Sequence, residues 1–317
     1  MKRNLLIALL GAAALLLGAQ ERPQLKLLAP QSTASLPFLR LADQSLPEGT
    51  GLSCELFLNH AQAMARLLRG EVDLLFTGTS TGWENYLSGG PLVLVDTGVW
   101  DVSSLVGPAG AKPLSSMKEL AGKRLALPFP GSPLDFQTRA ILAREGLDPE
   151  RDLQIMYLAF GQSAPLLLQG KLDASALPEP IATDLVLNRG LSRLLEYGQA
   201  WARVAGGDPR SPQVSLFATR TFLSKHAALV RRLVAAWTRA TEEVVRDPQA
   251  ASRAHAADFG LSPEVVAVAA AKTLFWVPSE QENYRRVLEY YVAVKDYLPG
   301  SPAQLGRDFF LLAESAP

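Results

Sequence analysis

Two segments of the chain repeat one pattern of apolar and polar positions. Residues 67–80 read LLRGEVDLLFTGTS, and residues 167–180 read LLQGKLDASALPEP. Each has two leucines, a polar residue, glycine, a charged residue, an aliphatic residue, aspartate and an apolar run. The pattern predicts a helix that ends at Gly70 or Gly170, since glycine takes the left-handed conformation without strain. Buried strands over 72–76 and 172–177 are expected to follow.

The residues before each repeat extend the pattern backwards. Short β-type runs at 54–58 and 154–158 each precede a stretch of helical length. Residues 25–43 and 123–142 each read as strand, loop and helix. Both halves, 25–78 and 123–178, therefore predict the order β–loop–α–β–α–β. Strands that alternate with helices indicate a mostly parallel sheet with helices on both faces.

Two such units predict an α/β fold of two doubly wound lobes. Expected strands at 101–106 and 214–219 would form a two-strand hinge, with lobe one over residues 24–106 plus 214–317 and lobe two over residues 107–213. From residue 221 onward, apolar residues recur at three- and four-residue spacing, which predicts amphipathic helices. We expect these extra C-terminal helices to pack on lobe one, because the chain has just returned there.

The N-terminus has the layout of a secretory signal peptide. Lys2 and Arg3 precede an apolar run over residues 5–17, followed by small residues. That run is shorter than the ~20 residues that a membrane span needs. We therefore predict a signal peptide over residues 1–19, with an uncleaved anchor as the alternative. The protein is then expected in the periplasm or another extracytoplasmic space, touching a membrane only through that anchor or a membrane partner.

Composition excludes several functions. The 317 residues include 31 Lys plus Arg and 31 Asp plus Glu, so there is no basic excess that nucleic acid would require. Cys54 is the single cysteine and cannot form an internal disulfide. The three histidines are widely spaced, so neither a metal nor another cofactor is expected. None of the common nucleophile, phosphate-loop or metalloprotease motifs occurs, and no catalytic residue is predicted.

Candidate binding residues follow from the predicted strands. In open parallel sheets, ligands bind beyond the carboxyl ends of the strands. The loops there are rich in hydroxyl groups, glycine and helix starts, which suit a polar or anionic ligand group. The candidates are Ser32, Thr33, Ser35, Asn59, Thr77, Gly78 and Thr79 in lobe one, and Phe129, Gly131, Ser132, Gln162 and Glu179 in lobe two.

Each candidate also has a purely structural interpretation. Ser132, followed by Pro133 and by Asp135, fits the cap of a helix. The serines and threonines suit ordinary loops, Phe129 suits a core, and Glu179 between two prolines suits a turn. Trp83, Tyr86 and Trp100 suit either a pocket wall or a core.

Several motifs together resemble the substrate-binding proteins of ABC importers for nitrate, sulfonates, taurine and thiamine precursors. These proteins share a domain with a fungal pyrimidine-precursor synthase. The matching motifs are LAGKRLAL at 120–127, GSP at 131–133, GLDPERD at 146–152, LQGKLDA at 168–174 and PEP at 178–180. The resemblance implies two lobes that close on a small molecule, a monomer, and permease and ATPase subunits as partners.

The chain departs from this family in one respect. Cationic side chains are expected at the ligand in many sulfonate and nitrate binders, but the candidate loops here contain no Lys or Arg. A weakly charged or aromatic ligand is therefore as credible as a sulfonate.

The leading hypothesis is a periplasmic binding protein without catalysis. Its ligand would be a small polar organic or heteroaromatic molecule of the sulfonate, nitrate-like or thiamine-precursor class. The alternative is a lyase or biosynthetic enzyme on the same scaffold. The fungal synthase consumes its own histidine and needs a cysteine-rich motif, so three His and one Cys oppose that particular chemistry. A sensor domain with a separate membrane receptor is a third possibility.

Overall fold

The computed structural model describes residues 24–44, 46, 49–297 and 305–312. The expected signal peptide, residues 1–19, lies outside them. Within the described part of the chain, no helix is both long and apolar enough to cross a bilayer. The first unit of the chain contains β1 (Gln24–Pro30), α1 (Leu36–Ala42), β2 (Gly51–Phe57), α2 (His60–Leu68), β3 (Leu74–Gly78), α3 (Thr79–Leu87) and β4 (Leu92–Asp101).

A second unit follows directly along the chain. It contains β5 (Ser103–Gly107), β6 (Arg124–Leu127), α4 (Pro133–Arg144), β7 (Gln154–Tyr157), α5 (Phe160–Leu168), β8 (Ala174–Pro178), α6 (Ile181–Arg189), β9 (Ser192–Glu196) and α7 (Tyr197–Val204). The chain then forms β10 (Val214–Thr219), α8 (Arg220–Arg246), α9 (Pro248–His255), α10 (Pro263–Lys272), β11 (Leu274–Phe275) and α11 (Glu280–Val294).

The strands form two sheets, which define lobe one and lobe two. The six-stranded sheet of lobe one has the order β11-β4-β10-β3-β1-β2, and the five-stranded sheet of lobe two has the order β7-β6-β8-β5-β9. Both contain three adjacent parallel strands, β2-β1-β3 and β7-β6-β8. One antiparallel strand, β10 or β5, pairs with the third of these. The predicted α/β class with two doubly wound lobes is confirmed.

The first crossing between the lobes lies earlier than expected. Residues 103–107 form β5, which pairs with β8 and β9 of lobe two rather than with any strand of lobe one. The chain therefore leaves lobe one between Asp101 and Ser103, and not between residues 106 and 107. The expected single strand at 101–106 is wrong, because β4 ends at Asp101 and a new strand starts two residues later. The chain returns near residue 214, as expected, but through residues 205–213. The expected hinge strand at 214–219 forms β10, which pairs with β3 and β4 inside the sheet of lobe one and does not itself cross between the lobes.

The repeated sequence pattern has one structural role in both lobes. Asp73 accepts a hydrogen bond from the backbone N–H of Lys26 at 2.8 Å, and Asp173 accepts one from that of Arg124, also at 2.8 Å. Each aspartate thus ties the start of the third strand to the first strand of its sheet. Gly70 and Gly170, with φ of 73° and 67°, end the preceding helices in the conformation that glycine favours.

The C-terminal helices pack on lobe one and also reach lobe two. The long helix α8 packs on α1, and its Trp237 stacks on Phe38 with ring centroids 4.5 Å apart. Helix α10 contacts α6 of lobe two as well as the helices of lobe one, and α11 contacts both β4 and α4. Two of the added helices therefore bridge the lobes.

Candidate functional site

The loops at the carboxyl ends of the two sheets face and touch each other. We call residues 30–35, 77–81, 129–133 and 178–179 the facing loops. Ser80 donates from Oγ to the carbonyl oxygen of Gly131 at 2.8 Å, and the backbone N–H of Thr33 donates to the carbonyl oxygen of Glu179 at 3.3 Å. Both bonds cross from one lobe to the other. The sequence argument that strand ends from two lobes would meet is therefore consistent with this geometry.

Close packing accompanies these bonds. A Cβ atom on Gly78 would lie 3.0 Å from Cγ of Pro133 in lobe two, so glycine allows the two loops to approach. The hydroxyl of Thr79 is completely buried and is joined to Ser215 at 2.7 Å, which is joined to Thr97 at 2.8 Å. A buried chain of hydroxyl groups thus supports the lobe-one loop from behind.

The imidazole of His60 and the rings of Phe57 and Phe129 lie together where the two lobes meet. The ring of His60 lies 5.7 Å from that of Phe129 across the lobes and 5.0 Å from that of Phe57. Its Nδ1 is hydrogen-bonded to Oγ1 of Thr77 at 2.8 Å. Burial lowers the pKa of His60 to about 4, so the imidazole is neutral at pH 7. Phe129 and Thr77 were predicted at the site. His60 directly follows the candidate Asn59 in the sequence but was not itself selected as a candidate.

The lobe-two loop at Gly131 is fixed by its own helix. Ser132 caps α4 by accepting from the backbone N–H of Asp135 at 3.1 Å, and the Asp135 carboxylate accepts from the N–H of Gly131 at 2.9 Å. Gly131 has φ of 78°, which a residue with a side chain rarely adopts. The predicted cap is present, and the loop presents the backbone carbonyl of Gly131 to lobe one.

Glu179 is buried in a network that the sequence did not indicate. Its carboxylate accepts from Arg193 of β9 at 2.8 Å and from the backbone N–H of Thr183 at 3.0 Å. Arg193 also bonds Ser104 and the hydroxyl of Thr183. The charge of Glu179 is therefore compensated inside lobe two, and only its backbone carbonyl reaches lobe one.

Four predicted residues have local structural roles. Asn59 and Gln162 are exposed and accept hydrogen bonds at the starts of α2 and α5. Ser32 caps the short 3₁₀ turn Thr33–Ser35, while Ser35 donates to the carbonyl of Pro30 at 2.5 Å. For these four, the contacts match the helix-cap and loop interpretations. Trp83 and Trp100 lie in the core and form no part of the facing loops.

Sequence reasoning missed several polar residues at the lobe contact. Gln137 and Gln213 are buried and bonded to each other at 3.0 Å, and both also bond Ser211. These residues join α4 of lobe two to the return crossing. Gln137 lies on a helix face and Ser211 on a crossing, where no loop motif marks them.

Glu84 is the other missed group, and its electrostatics are unusual. It lies on α3, one helical turn beyond Ser80, and a Cβ on Gly131 would be 2.5 Å from its Oε1. Burial and the nearby charge of Asp135 raise the pKa of Glu84 to about 7. No hydrogen-bond donor or cation pairs with Glu84 within the described residues. Lobe one thus presents an uncompensated carboxyl group to lobe two.

Other parts of the surface offer less defined sites. Two shallow depressions, of about 450 and 340 Å³, lie on the outside of α11 and between α1 and α8, away from the facing loops. Their linings include no arrangement of buried polar groups. Over the described residues, no three His, Cys, Asp or Glu side chains are grouped as a metal site would require.

A comparison with known protein families identifies the family of this chain. Residues 84–259 match the NMT1-like family, and this span is more than half of the chain. The chain belongs to the NMT1-like family. The match includes all of lobe two, both crossings and part of lobe one with α8. It thus contains the Gly131 loop, Glu179 and Arg193.

Solved structures share the fold over nearly the whole chain. One is a ligand-binding component of an ABC-type import system from Staphylococcus aureus with zinc bound, with TM-score 0.73, 16% identity, and coverage of 92% of this chain and 97% of that one. A second is the periplasmic aliphatic sulphonate binding protein from Escherichia coli, with TM-score 0.70, 19% identity, and coverage of 88% and 95%.

A third is the periplasmic nitrate-binding protein from Synechocystis PCC 6803, with TM-score 0.70, 14% identity, and coverage of 90% and 84%. No protein with a curated description matches the sequence. At these identities the neighbours show the two-lobed fold and leave the ligand of this chain open.

Proposed function

We propose that this protein is the extracytoplasmic solute-binding component of an ABC importer, and that it captures its ligand between the two lobes without changing it. The observation that carries the proposal is the meeting of the facing loops. Their cross-lobe bonds, Ser80 to Gly131 and Thr33 to Glu179, surround largely buried hydroxyl groups. A ligand reaches such loops only when the lobes separate, and closure then surrounds it.

The charges around the facing loops favour a ligand without a strong negative charge. Arg193 is committed to Glu179 and Arg139 to Asp135 and Glu150. His60 is neutral at pH 7, and Glu84 adds a carboxyl group. An anion would therefore lack a free cationic partner here, so within the family's ligand classes we favour a polar or heteroaromatic molecule over a sulfonate or nitrate.

The rings of His60, Phe129 and Phe57 supply a face on which a flat ligand could stack. Thr77 and the carbonyl of Gly131 supply polar groups nearby that fix its orientation. The partners in this proposal are a permease and an ATPase, and the location is the periplasm. A single chain contains both lobes, so the working unit is a monomer.

A thermal-shift panel on residues 20–317 tests this function. It includes alkyl sulfonates, taurine, nitrate, bicarbonate, aromatic carboxylates, pyrimidine precursors and flavin-like heteroaromatics. A ligand at about 1,000 times its dissociation constant adds ~4 kcal/mol to the free energy of unfolding, which raises the melting temperature by several degrees. We expect a hit among the uncharged compounds, recovered unchanged by mass spectrometry.

The matched control is Gly78→Leu, whose side chain would block the close approach of the loop at Gly78 to Pro133 of lobe two. The melting shift from a ligand bound between the lobes disappears in this variant. A shift that persists places the ligand elsewhere, and a ligand recovered in altered form would support the enzyme alternative instead.

A further inference from the structure

Two carboxyl groups approach Gly131 from opposite lobes. Glu84 comes from α3 of lobe one, and Asp135 comes from the first turn of α4 in lobe two. The contact exists only because the lobes are together, since Ser80 and Glu84 lie one helical turn apart on the face of α3 that meets lobe two.

The surroundings compensate one carboxylate and not the other. Asp135 accepts from Arg139 Nε at 2.8 Å, from Tyr157 at 3.0 Å and from the N–H of Gly131. Arg139 is further shared with Glu150 at 2.5 Å. Glu84 has no such partner in the described part of the chain, so its charged form loses water on closure and faces Asp135.

We propose that closure of the two lobes takes up a proton at Glu84, so that acid favours the closed arrangement and ligand capture while alkali favours opening and release. This inference rests on the proposed function, because it assumes lobes that separate. It assigns to Glu84 the role of a proton-operated latch that couples ligand affinity to pH.

The sign follows from proton linkage. In the open arrangement Glu84 meets water, so its pKa returns towards the ordinary glutamate value of 4.5, whereas closure raises the pKa to about 7. The closed arrangement therefore binds the proton more tightly between these values. Closure is favoured below about pH 5 and loses that advantage as the pH rises through 7.

A ligand-free distance measurement tests the latch. Spin labels at Arg69→Cys and Gln169→Cys, exposed equivalent positions in the two lobes, with Cys54→Ser, report the separation of the lobes by pulsed EPR. We expect short distances at pH 5.5 and a shift to longer distances at pH 8.5. In Glu84→Gln, which is neutral at every pH, short distances persist at both values. Glu242→Gln, at an exposed position on α8, is the control and follows the parent.

The proposal is wrong if the distance between the labels changes with pH in the same way in the parent and in Glu84→Gln. It is also wrong if the distance in the parent does not change with pH. Neither result depends on finding a ligand, so failure here is distinct from failure of the proposed function, which a flat compound panel would indicate. With any ligand from the panel, the parent should bind about tenfold more tightly at pH 6 than at pH 8, and Glu84→Gln should lose this ratio.

Discussion

The repeated halves of the two lobes are alike where they hold the fold and differ where they face each other. Leu67 and Leu167 are each 1% exposed and lie at matching places in α2 and α5. Asp73 and Asp173 make the same bond to the first strand at the same distance. The positions that the sequence repeats are therefore those on which the sheet and its helices depend.

The facing positions diverge. His60 of lobe one corresponds to Phe160 in lobe two, and Thr77 corresponds to Leu177. The hydrogen bond between His60 and Thr77 thus has no counterpart in the apolar pair of lobe two. Lobe one brings polar side chains to the contact and lobe two brings mainly backbone groups and a ring. The comparison teaches that the contact between the lobes is asymmetric although the scaffold is repeated.

The largest expected effect tests the shared scaffold. Leu67→Ala and Leu167→Ala each remove a buried side chain and leave a cavity, so each should lower the free energy of unfolding by about 2–5 kcal/mol. Urea denaturation measures both. The adjacent Leu68 and Leu168 are 42% and 58% exposed and serve as matched controls, for which alanine should cost less than about 0.5 kcal/mol. Unequal losses of unfolding free energy for the two buried leucines would show that the matching helices do not contribute equally to stability.

The next largest effect concerns His60, which corresponds to Phe160 in lobe two, and the way in which stability depends on pH. Because the pKa of His60 falls to about 4 on folding, the unfolded chain binds the proton more readily between pH 6.5 and 4. Stability is therefore lost as the pH falls through this range, by up to about 3 kcal/mol. His60→Phe copies lobe two and should remove this loss.

Unfolding of the parent and His60→Phe, compared at pH 7 and pH 4.5, measures the effect. Replacement of the exposed His226 by Phe gives the background. If His60→Phe loses as much stability in acid as the parent and the His226 variant do, His60 is not the group responsible for the loss. The imidazole of His60 is then less buried than the structure indicates.

Local patterns were enough to predict most of the scaffold. The strand Val214–Thr219 has the predicted bounds, and the Ser132 cap and the glycine helix ends are present where the spacing placed them. These features depend on residues close in sequence, whose turn and cap chemistry is local. The end of β4 was missed, because β4 and β5 are both buried strands only one residue apart, and only strand pairing separates them.

The chemistry of the contact between lobes was harder to predict. Glu84 lies within a helix and Arg193 on a strand, and neither belongs to a loop motif. What makes them important is proximity to Gly131 and Glu179, which only the tertiary fold creates. A sequence pattern shows which residues are polar, but it does not show which charges are already compensated.

A smaller effect separates the two repeated aspartates. Asp73→Ala and Asp173→Ala each remove a hydrogen bond to a backbone N–H that water can reach, so each should cost about 0.5–1.5 kcal/mol. The loss should be greater for Asp173, because its carboxylate also pairs with the Arg124 side chain at 2.9 Å. Arg124→Met keeps the backbone bond and removes this half-exposed pair together with the bond that the guanidinium donates to the carbonyl of Gly170 at 2.9 Å, so it should cost about 1 kcal/mol. Equal losses for the two aspartates would mean that the ion pair adds nothing.

The smallest effect concerns the hydroxyl that crosses the lobes. Ser80 occupies the position that corresponds to Pro180 in lobe two, and its bond to Gly131 forms only when the lobes are closed. Ser80→Ala should reduce the ratio of closed to open molecules about fivefold, as expected for a net ~1 kcal/mol hydrogen bond, with little change in the free energy of unfolding. The spin-label pair at positions 69 and 169 measures the population. Thr81→Val is the matched control, because the buried hydroxyl of Thr81 has no hydrogen-bond partner among the described residues, and its removal should leave closure unchanged. If both variants open the lobes equally, helix packing of α3, and not the serine bond, sets the closed state.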